Sequence, residues 1–206
     1  MARPYNQVLN WPNVLTLARI SVIPLLVVFF YLPVWWAHPA AAVLFAIASI
    51  TDWLDGYLAR YLKQSTKLGA FLDPVADKLM VSIALVLIVA EPTFQFVSTN
   101  SEIVSMPTAA ITIPAAVIVA REIIVSGLRE WMAEIGDRTS VAVSRFGKIK
   151  TALQMIALVA LLYCDNTTNA TLVFTSYFLL YIAAILTIWS MFIYLKAAWT
   201  QLISNG

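Results

Sequence analysis

The sequence predicts an all-α integral membrane protein with six transmembrane helices and both termini on the cytoplasmic side. Three observations carry that expectation. The 206 residues are 61% hydrophobic and only 12% charged, against roughly 45–50% apolar and about 25% charged in soluble chains. Six apolar segments reach the length of about 20 residues that crosses a bilayer's hydrocarbon core. The Lys and Arg residues all fall toward one set of segment ends, as the retention of cations on the cytoplasmic side requires.

The spans are read at residues 12–33, 38–60, 70–91, 107–132, 147–164 and 171–196. Pro33 and the Trp35, Trp36, His38, Pro39 cluster mark the first break, and the stretch from Glu91 to Pro107 marks the third. A polar turn from Asp165 to Asn169 separates the last two spans. The remaining turns, Arg60 to Lys67 and Gly136 to Lys150, are short and cationic. With no internal repeat or low-complexity tract, residues 1–206 read as one membrane-embedded domain. A cleaved signal peptide is the competing reading of the start, but the apolar run is long for one and Arg19 interrupts it. Residues 1–11 read as an interfacial segment, with Tyr5, Leu9 and Trp11 at the lipid surface.

The loops near residues 33–39, 91–107 and 164–170 contain no Lys or Arg, only Glu91, Glu102, Asp165 and His38. All thirteen cations lie toward the opposite ends of the spans. Net charge is only +2, which steers no partner by itself, and no nucleic-acid partner is expected. A disordered tail and an ordinary cytosolic enzyme are also excluded. The single cysteine, Cys164, has no partner for an internal disulfide, and no Cys/His cluster exists to hold zinc. His38 is the only histidine and sits toward the outer face, so Ser/His and Cys/His nucleophiles are excluded as well.

The informative stretch joins the second and third spans. Asp52 and Asp55 are spaced i, i+3, and Asp73 and Asp77 i, i+4, so each pair shares one helix face. A short connection makes the two helices antiparallel neighbours and lets four carboxylates converge near the cytoplasmic interface. Ionisable residues within a span are costly and usually functional, and four such charges need a cation. Carboxylates without His or Cys favour a hard ion such as Mg2+, Mn2+ or Ca2+. Two divalent ions would balance four carboxylates and suit a clamp on phosphate. The competing reading is interfacial charge and capping, with Asp73 an N-cap before Pro74. Gly56 beside Asp55 removes a side chain where a flat ring or phosphate would approach. Ala59 keeps the same surface low, and Gly69 stands beside the second pair.

Written out, these residues are Asp52-x2-Asp55-Gly56-x2-Ala59-Arg60-x8-Gly69-x3-Asp73-x3-Asp77, eight fixed positions within 26 residues. The pattern resembles the signature of the CDP-alcohol phosphotransferase family without a departure. PNVLTLARI at 12–20, AREIIVSGLREWMAEIG at 120–136 and SVAVSRFGKIKT at 140–151 extend the resemblance over nearly the whole chain, toward bacterial members that act on glycerol 3-phosphate. It implies a multi-pass, homodimeric enzyme of the bacterial inner membrane with its site facing the cytoplasm. That enzyme would transfer a phosphatidyl group from CDP-diacylglycerol to sn-glycerol 3-phosphate and release CMP, with Mg2+ or Mn2+ as cofactor, two ions being expected. By the same resemblance Asp52, Asp55, Asp73 and Asp77 are metal ligands, and Asp77 is also the general base. Spacing alone does not separate base from ligand.

Gly56, Ala59, Arg60 and Gly69 are the candidate CDP contacts, joined by Asn13 and Thr16. The latter two lie with Arg19 at i, i+3, i+6 on the first span. Asn13 reads equally as a cap, and Arg19 as snorkelling or pairing with an aspartate. A phosphorylated acceptor needs cationic partners, and Arg121, Arg129, Arg145, Lys148 and Lys150 are the candidates. Snorkelling or binding of anionic lipid headgroups is the alternative. Arg121 lies deepest, with Glu122 able to pair with another helix; Lys148 and Lys150 point about 200° apart, so they do not share one pocket. Two other functions stay open: the same transfer to inositol phosphate or phosphatidylglycerol, and a divalent-cation transporter using the aspartates as its ion site.

Overall fold

The computed structural model describes residues 11–62, 67–99, 102–134 and 145–204. Six helices run in order: α1 (Trp11–Phe30), α2 (Ala37–Leu62), α3 (Lys67–Ala90), α4 (Ala109–Glu134), α5 (Arg145–Tyr163) and α6 (Ala170–Ser204). Each coincides with one of the six apolar segments. Ala109–Met132 and Ala170–Lys196 are long and apolar enough to cross a membrane by length and composition. Shorter apolar helical stretches are Val14–Phe30, Ala37–Asp52 and Ile149–Tyr163.

Two details depart from the sequence reading. The segment between α3 and α4 is not wholly irregular. After a 3-10 turn at Pro92–Phe94 it forms a small antiparallel hairpin, β1 (Phe96–Ser98) with β2 (Ile103–Ser105), in the register Phe96↔Ser105, Val97↔Val104 and Ser98↔Ile103. The β-branched and aromatic residues of FVS and IVS suit a pleated edge, so the all-α class carries a two-stranded appendage. Asp73 and Pro74, moreover, do not start α3; the helix begins at Lys67 and continues through Pro74. Proline inside an apolar helix is tolerated where neighbouring helices satisfy the freed carbonyl, and Pro24 and Pro114 lie similarly inside α1 and α4.

The chain divides into two compact units: Met1–Ala90 with Val159–Asp165, and Glu91–Leu158 with Asn166–Gly206. In the first unit α1 packs on both α2 and α3. Its buried positions are Thr16, Arg19, Ile23, Leu26 and Phe30, a 3-4-3-4 spacing that keeps one stripe inward. On α2 the buried residues are Ala37, Ala41, Ala42, Phe45 and Ala48. Small side chains there let the helix backbones approach closely, which is how apolar helices gain packing energy where lipid competes for the same contacts. On α3 the buried set is Ala76, Met80, Val81, Ala84, Leu85, Leu87 and Ile88.

In the second unit α4 packs on α6. Val125, Met132 and Tyr194 form a buried cluster, with Leu128, Trp131 and Met191 against it. Tyr181 donates to the Ala110 carbonyl at 2.8 Å; both residues precede this cluster on their own helices, so α4 and α6 run in the same direction. Tyr177 reaches the turn before the hairpin: its hydroxyl donates to the Phe94 carbonyl at 2.7 Å, and the two rings meet edge to face.

Candidate active site

The inward stripe of each helix in the first unit changes character toward one end. On α1 it passes from Phe30, Leu26 and Ile23 to Arg19 and Thr16, both buried, with Arg19 only 2% exposed. On α2 the position one turn beyond Ala48 is Asp52; on α3 the positions one turn before Met80 and Ala76 include Asp77 and Asp73. Helical spacing alone therefore brings these polar side chains to the same end of the packed stripe.

There they meet. Arg19 Nη1 lies 2.6 Å from Asp52 Oδ1 and 2.8 Å from Asp77 Oδ1, so one guanidinium nitrogen bridges carboxylates of two helices. One turn away, the Thr16 hydroxyl donates to Asp73 Oδ1 at 2.5 Å. Asp52, Asp73 and Asp77 are all half-buried. The pairings Thr16–Asp73 and Arg19–Asp77 advance together along both chains, so α1 and α3 run parallel. The sequence reading expected the two aspartate pairs to meet across an α2–α3 contact. In the structure Arg19 of α1 links one member of each pair, Asp52 on α2 and Asp77 on α3.

The side chains of Asp55, Gly56, Ala59, Arg60 and Asn13 lie outside the described residues, and so do those of Arg145 and Lys148. Gly69 is buried within α3. Thr16, expected beside the nucleotide, is fully buried with its hydroxyl turned to Asp73. Among the described residues, no three acidic, His or Cys side chains already form a ligand cluster. The donor set nevertheless suits a hard divalent cation: it is all carboxylate oxygen. Two of its oxygens already share one positive charge, with Arg19 Nη1 standing where a cation is called for.

The second unit contains the inverse arrangement. Glu122 Oε1 on α4 accepts from Arg121 Nη1 at 2.9 Å and from Lys150 Nζ on α5 at 3.2 Å. Arg121 Nη2 donates to Ser190 Oγ on α6 at 3.0 Å. Arg121 and Lys150 are 8% and 2% exposed, so this is a buried network rather than a solvated patch. Arg129 is exposed; its Nη2 donates to the Tyr194 hydroxyl at 3.3 Å. Both guanidinium groups also lie over the Tyr194 ring, at 5.8 Å for Arg121 and 5.3 Å for Arg129, within cation–π range. Of the two lysines left open by spacing, Lys150 is turned into this network, and the Lys148 side chain lies outside the described residues.

Sequence reasoning passed over Ser190, Tyr194 and Gln154. Ser190 and Tyr194 are i, i+4 on α6, and Gln154 is one turn beyond Lys150 on α5 and 3% exposed. Polar residues at helical spacing inside apolar segments were the available signal. Gln154 Oε1 and Arg121 Nε are buried without a hydrogen-bond partner. Such groups are costly to leave unmatched, so Arg121 retains donating capacity and Gln154 accepting capacity.

The family model for CDP-alcohol phosphatidyltransferase matches residues 9–189. The chain belongs to the CDP-alcohol phosphatidyltransferase family. The match takes in both units of this phosphatidyltransferase, with the aspartates and the Arg121–Glu122–Lys150 network inside it. A relative from Yersinia enterocolitica (serotype O:8 / biotype 1B) is 53% identical over 195 residues, covering 95% of this chain and 98% of its own. One from Yersinia pestis (strain Pestoides F) is 54% identical over the same length and coverage. One from Escherichia coli (strain K12) is 49% identical over 196 residues, again covering 95% and 98%. All three are named CDP-diacylglycerol--glycerol-3-phosphate 3-phosphatidyltransferase.

Glu122 is the shared counter-ion of two buried cations, and removing one partner of such a pair costs about 3–5 kcal/mol when burial is complete. Glu122 retains 26% exposure of its side chain, which places Glu122→Gln at the lower end, about 3 kcal/mol. The expected result is a clearly lowered unfolding midpoint in detergent. A wild-type midpoint would show that the two cations do not depend on Glu122.

Proposed function

We propose that the chain transfers a phosphatidyl group from CDP-diacylglycerol to sn-glycerol 3-phosphate, giving phosphatidylglycerophosphate and CMP. The observation that carries this reading is the occurrence of two clusters of opposite balance within one family match. Arg19 bridges Asp52 and Asp77, two carboxylates to one cation; Glu122 bridges Arg121 and Lys150, two cations to one carboxylate. An acidic cluster suits metal and a donor pyrophosphate; a cationic one suits the phosphate of a phosphorylated acceptor. The relatives' printed names supply the donor and acceptor.

In this reading Asp52, Asp55, Asp73 and Asp77 hold two Mg2+ or Mn2+ ions. Bound there, divalent ions supply neutralisation of the donor's pyrophosphate and of the charge that develops on it. Asp77 accepts the proton of the attacking acceptor hydroxyl. The new bond forms from that oxygen to the phosphorus bearing diacylglycerol, the pyrophosphate P–O bond breaks, and its electron pair leaves with CMP. Thr16 orients Asp73 by its hydroxyl. Gly56, Ala59, Arg60 and Gly69, with Asn13, keep the surface for the cytidine and phosphates low and cationic. Arg121, Arg129 and Lys150, with Arg145, neutralise the acceptor phosphate. Transfer is direct, with no covalent enzyme intermediate.

The chain works as one domain in the bacterial inner membrane, crossing it six times with termini and site on the cytoplasmic side, and pairs as a homodimer. The cation-free loops support this orientation, and the large apolar side chains exposed along α6 at Phe178, Ile185, Trp189 and Phe192 support the membrane setting.

Purified protein given CDP-diacylglycerol and Mg2+ is expected to release CMP on addition of glycerol 3-phosphate. Inositol phosphate, phosphatidylglycerol or no acceptor should give none. Release with a different acceptor would reassign the substrate, and no release with any would favour a transporter. Asp77→Asn should lower turnover about 10²–10⁴-fold, the range for loss of a general base, while CDP-diacylglycerol still binds; near-normal turnover would remove Asp77 from that role.

The orientation is checked with single cysteines in a Cys164→Ala background. A cysteine at Trp35 should react with an impermeant maleimide in spheroplasts. One at Arg138 should react only after the membrane is opened, and the reverse pattern would invert the topology.

A further inference from the structure

We propose that Arg19 is a resident counter-ion of the carboxylate site: it holds Asp52 and Asp77 together before a divalent cation arrives, and that cation must displace it to bind. The proposal deepens the metal reading given above and rests on it. Three observations carry it.

Arg19 is not a lipid-facing or snorkelling arginine. It occupies the buried stripe of α1 between Thr16 and Ile23 and is only 2% exposed. A guanidinium that deep is tolerated only when paired and hydrogen-bonded, and its partners include the carboxylates of Asp52 and Asp77. Moreover, a single nitrogen, Nη1, touches Oδ1 of both aspartates. A metal ion ligated by the same two oxygens would need the space that Nη1 fills, so the two cations exclude each other there. Finally, Thr16, one turn before Arg19, holds Asp73 one turn before Asp77. α1 therefore fixes the carboxylates of α2 and α3 in proximity, and mutual repulsion does not spread them apart.

Two opposing effects follow. Arg19 assembles the ligands, and it also competes for them. Which effect dominates sets the sign of the test. With Thr16 and helix packing left to hold the carboxylates, loss of the competing charge should prevail. Arg19 is thus a positioning residue that also sets how much metal the site requires.

The test is a titration of the purified full chain in detergent with Mn2+ alone, free Mn2+ being followed by electron paramagnetic resonance. Arg19→Gln should bind Mn2+ at least tenfold more tightly than wild type, and Arg19→Lys should fall between them. A merely structural arginine gives the opposite sign, so unchanged or weaker binding by folded Arg19→Gln overturns the proposal. Asp52→Asn separates the two readings. If it loses Mn2+ while Arg19→Gln behaves as wild type, only the Arg19 proposal fails; if wild type binds no Mn2+, the metal reading fails with it. Should Arg19→Gln not fold, side-chain ¹⁵N resonances of wild type decide. The Arg19 signal, assigned by its absence from Arg19→Lys, must move as Mg2+ saturates the site, and a signal that stays fixed overturns the proposal.

Discussion

Charge inside an apolar helix bundle has to be neutralised where it stands, and in this chain two bridging side chains meet that constraint. Desolvating a carboxylate or a guanidinium costs several kcal/mol per ion unless a partner and hydrogen bonds offset it. Arg19 serves two aspartates on two helices, and Glu122 serves two cations on two helices. Each bridge ties helices together through polar atoms and leaves a surplus of one sign within its trio. A perfectly balanced pair would be inert toward ligands. A surplus held at a fixed position is a binding site for the opposite charge.

Hydroxyls complete these clusters. Thr16 holds Asp73, Ser190 holds Arg121, and Tyr194 accepts from Arg129 while its ring lies under both guanidinium groups. A hydroxyl can donate or accept as its neighbour requires, so it fixes a charged side chain without cancelling its charge. Orientation and charge are thereby set separately. Charged groups held in place in this way stabilise developing charge without reorganising during reaction.

Much of this was legible in the residues, and the limits have physical causes. The six helices follow from apolar length and from the polar breaks between segments, which is why their bounds agree with the sequence reading to within a few residues except at the far end of α6, where the helix runs on to Ser204. The aspartates were legible because their spacing puts each pair on one face. Arg19 as their bridge was not. An arginine three residues after Thr16 can reach lipid headgroups, water or a carboxylate, and only packing chooses among these. The stripe Thr16, Arg19, Ile23, Leu26, Phe30 was present in the sequence, but a helix so apolar shows little contrast between faces, and the 3-4-3-4 spacing stood out only once burial marked the inward side. The competing reading of Asp73 and Pro74 as a helix start, a good one locally, gives way because α3 already begins at Lys67, close to the span start read at residue 70.

The same stripes weigh against an ion-conducting role for the aspartates. Transport needs polar side chains or water along a route to both faces of the membrane. In the first unit the inward positions beyond the carboxylates are Ile23, Leu26 and Phe30 on α1, Ala41, Phe45 and Ala48 on α2, and Ala84, Leu87 and Ile88 on α3, all buried. Between the carboxylates and His38, which packs on Phe30 at the far end, these positions hold only apolar side chains, and a cation leaving the carboxylates in that direction would enter hydrocarbon. The arrangement admits charge from one end only. It suits an ion that arrives, stays and neutralises a second anion arriving by the same route, as a phosphate-bearing donor would.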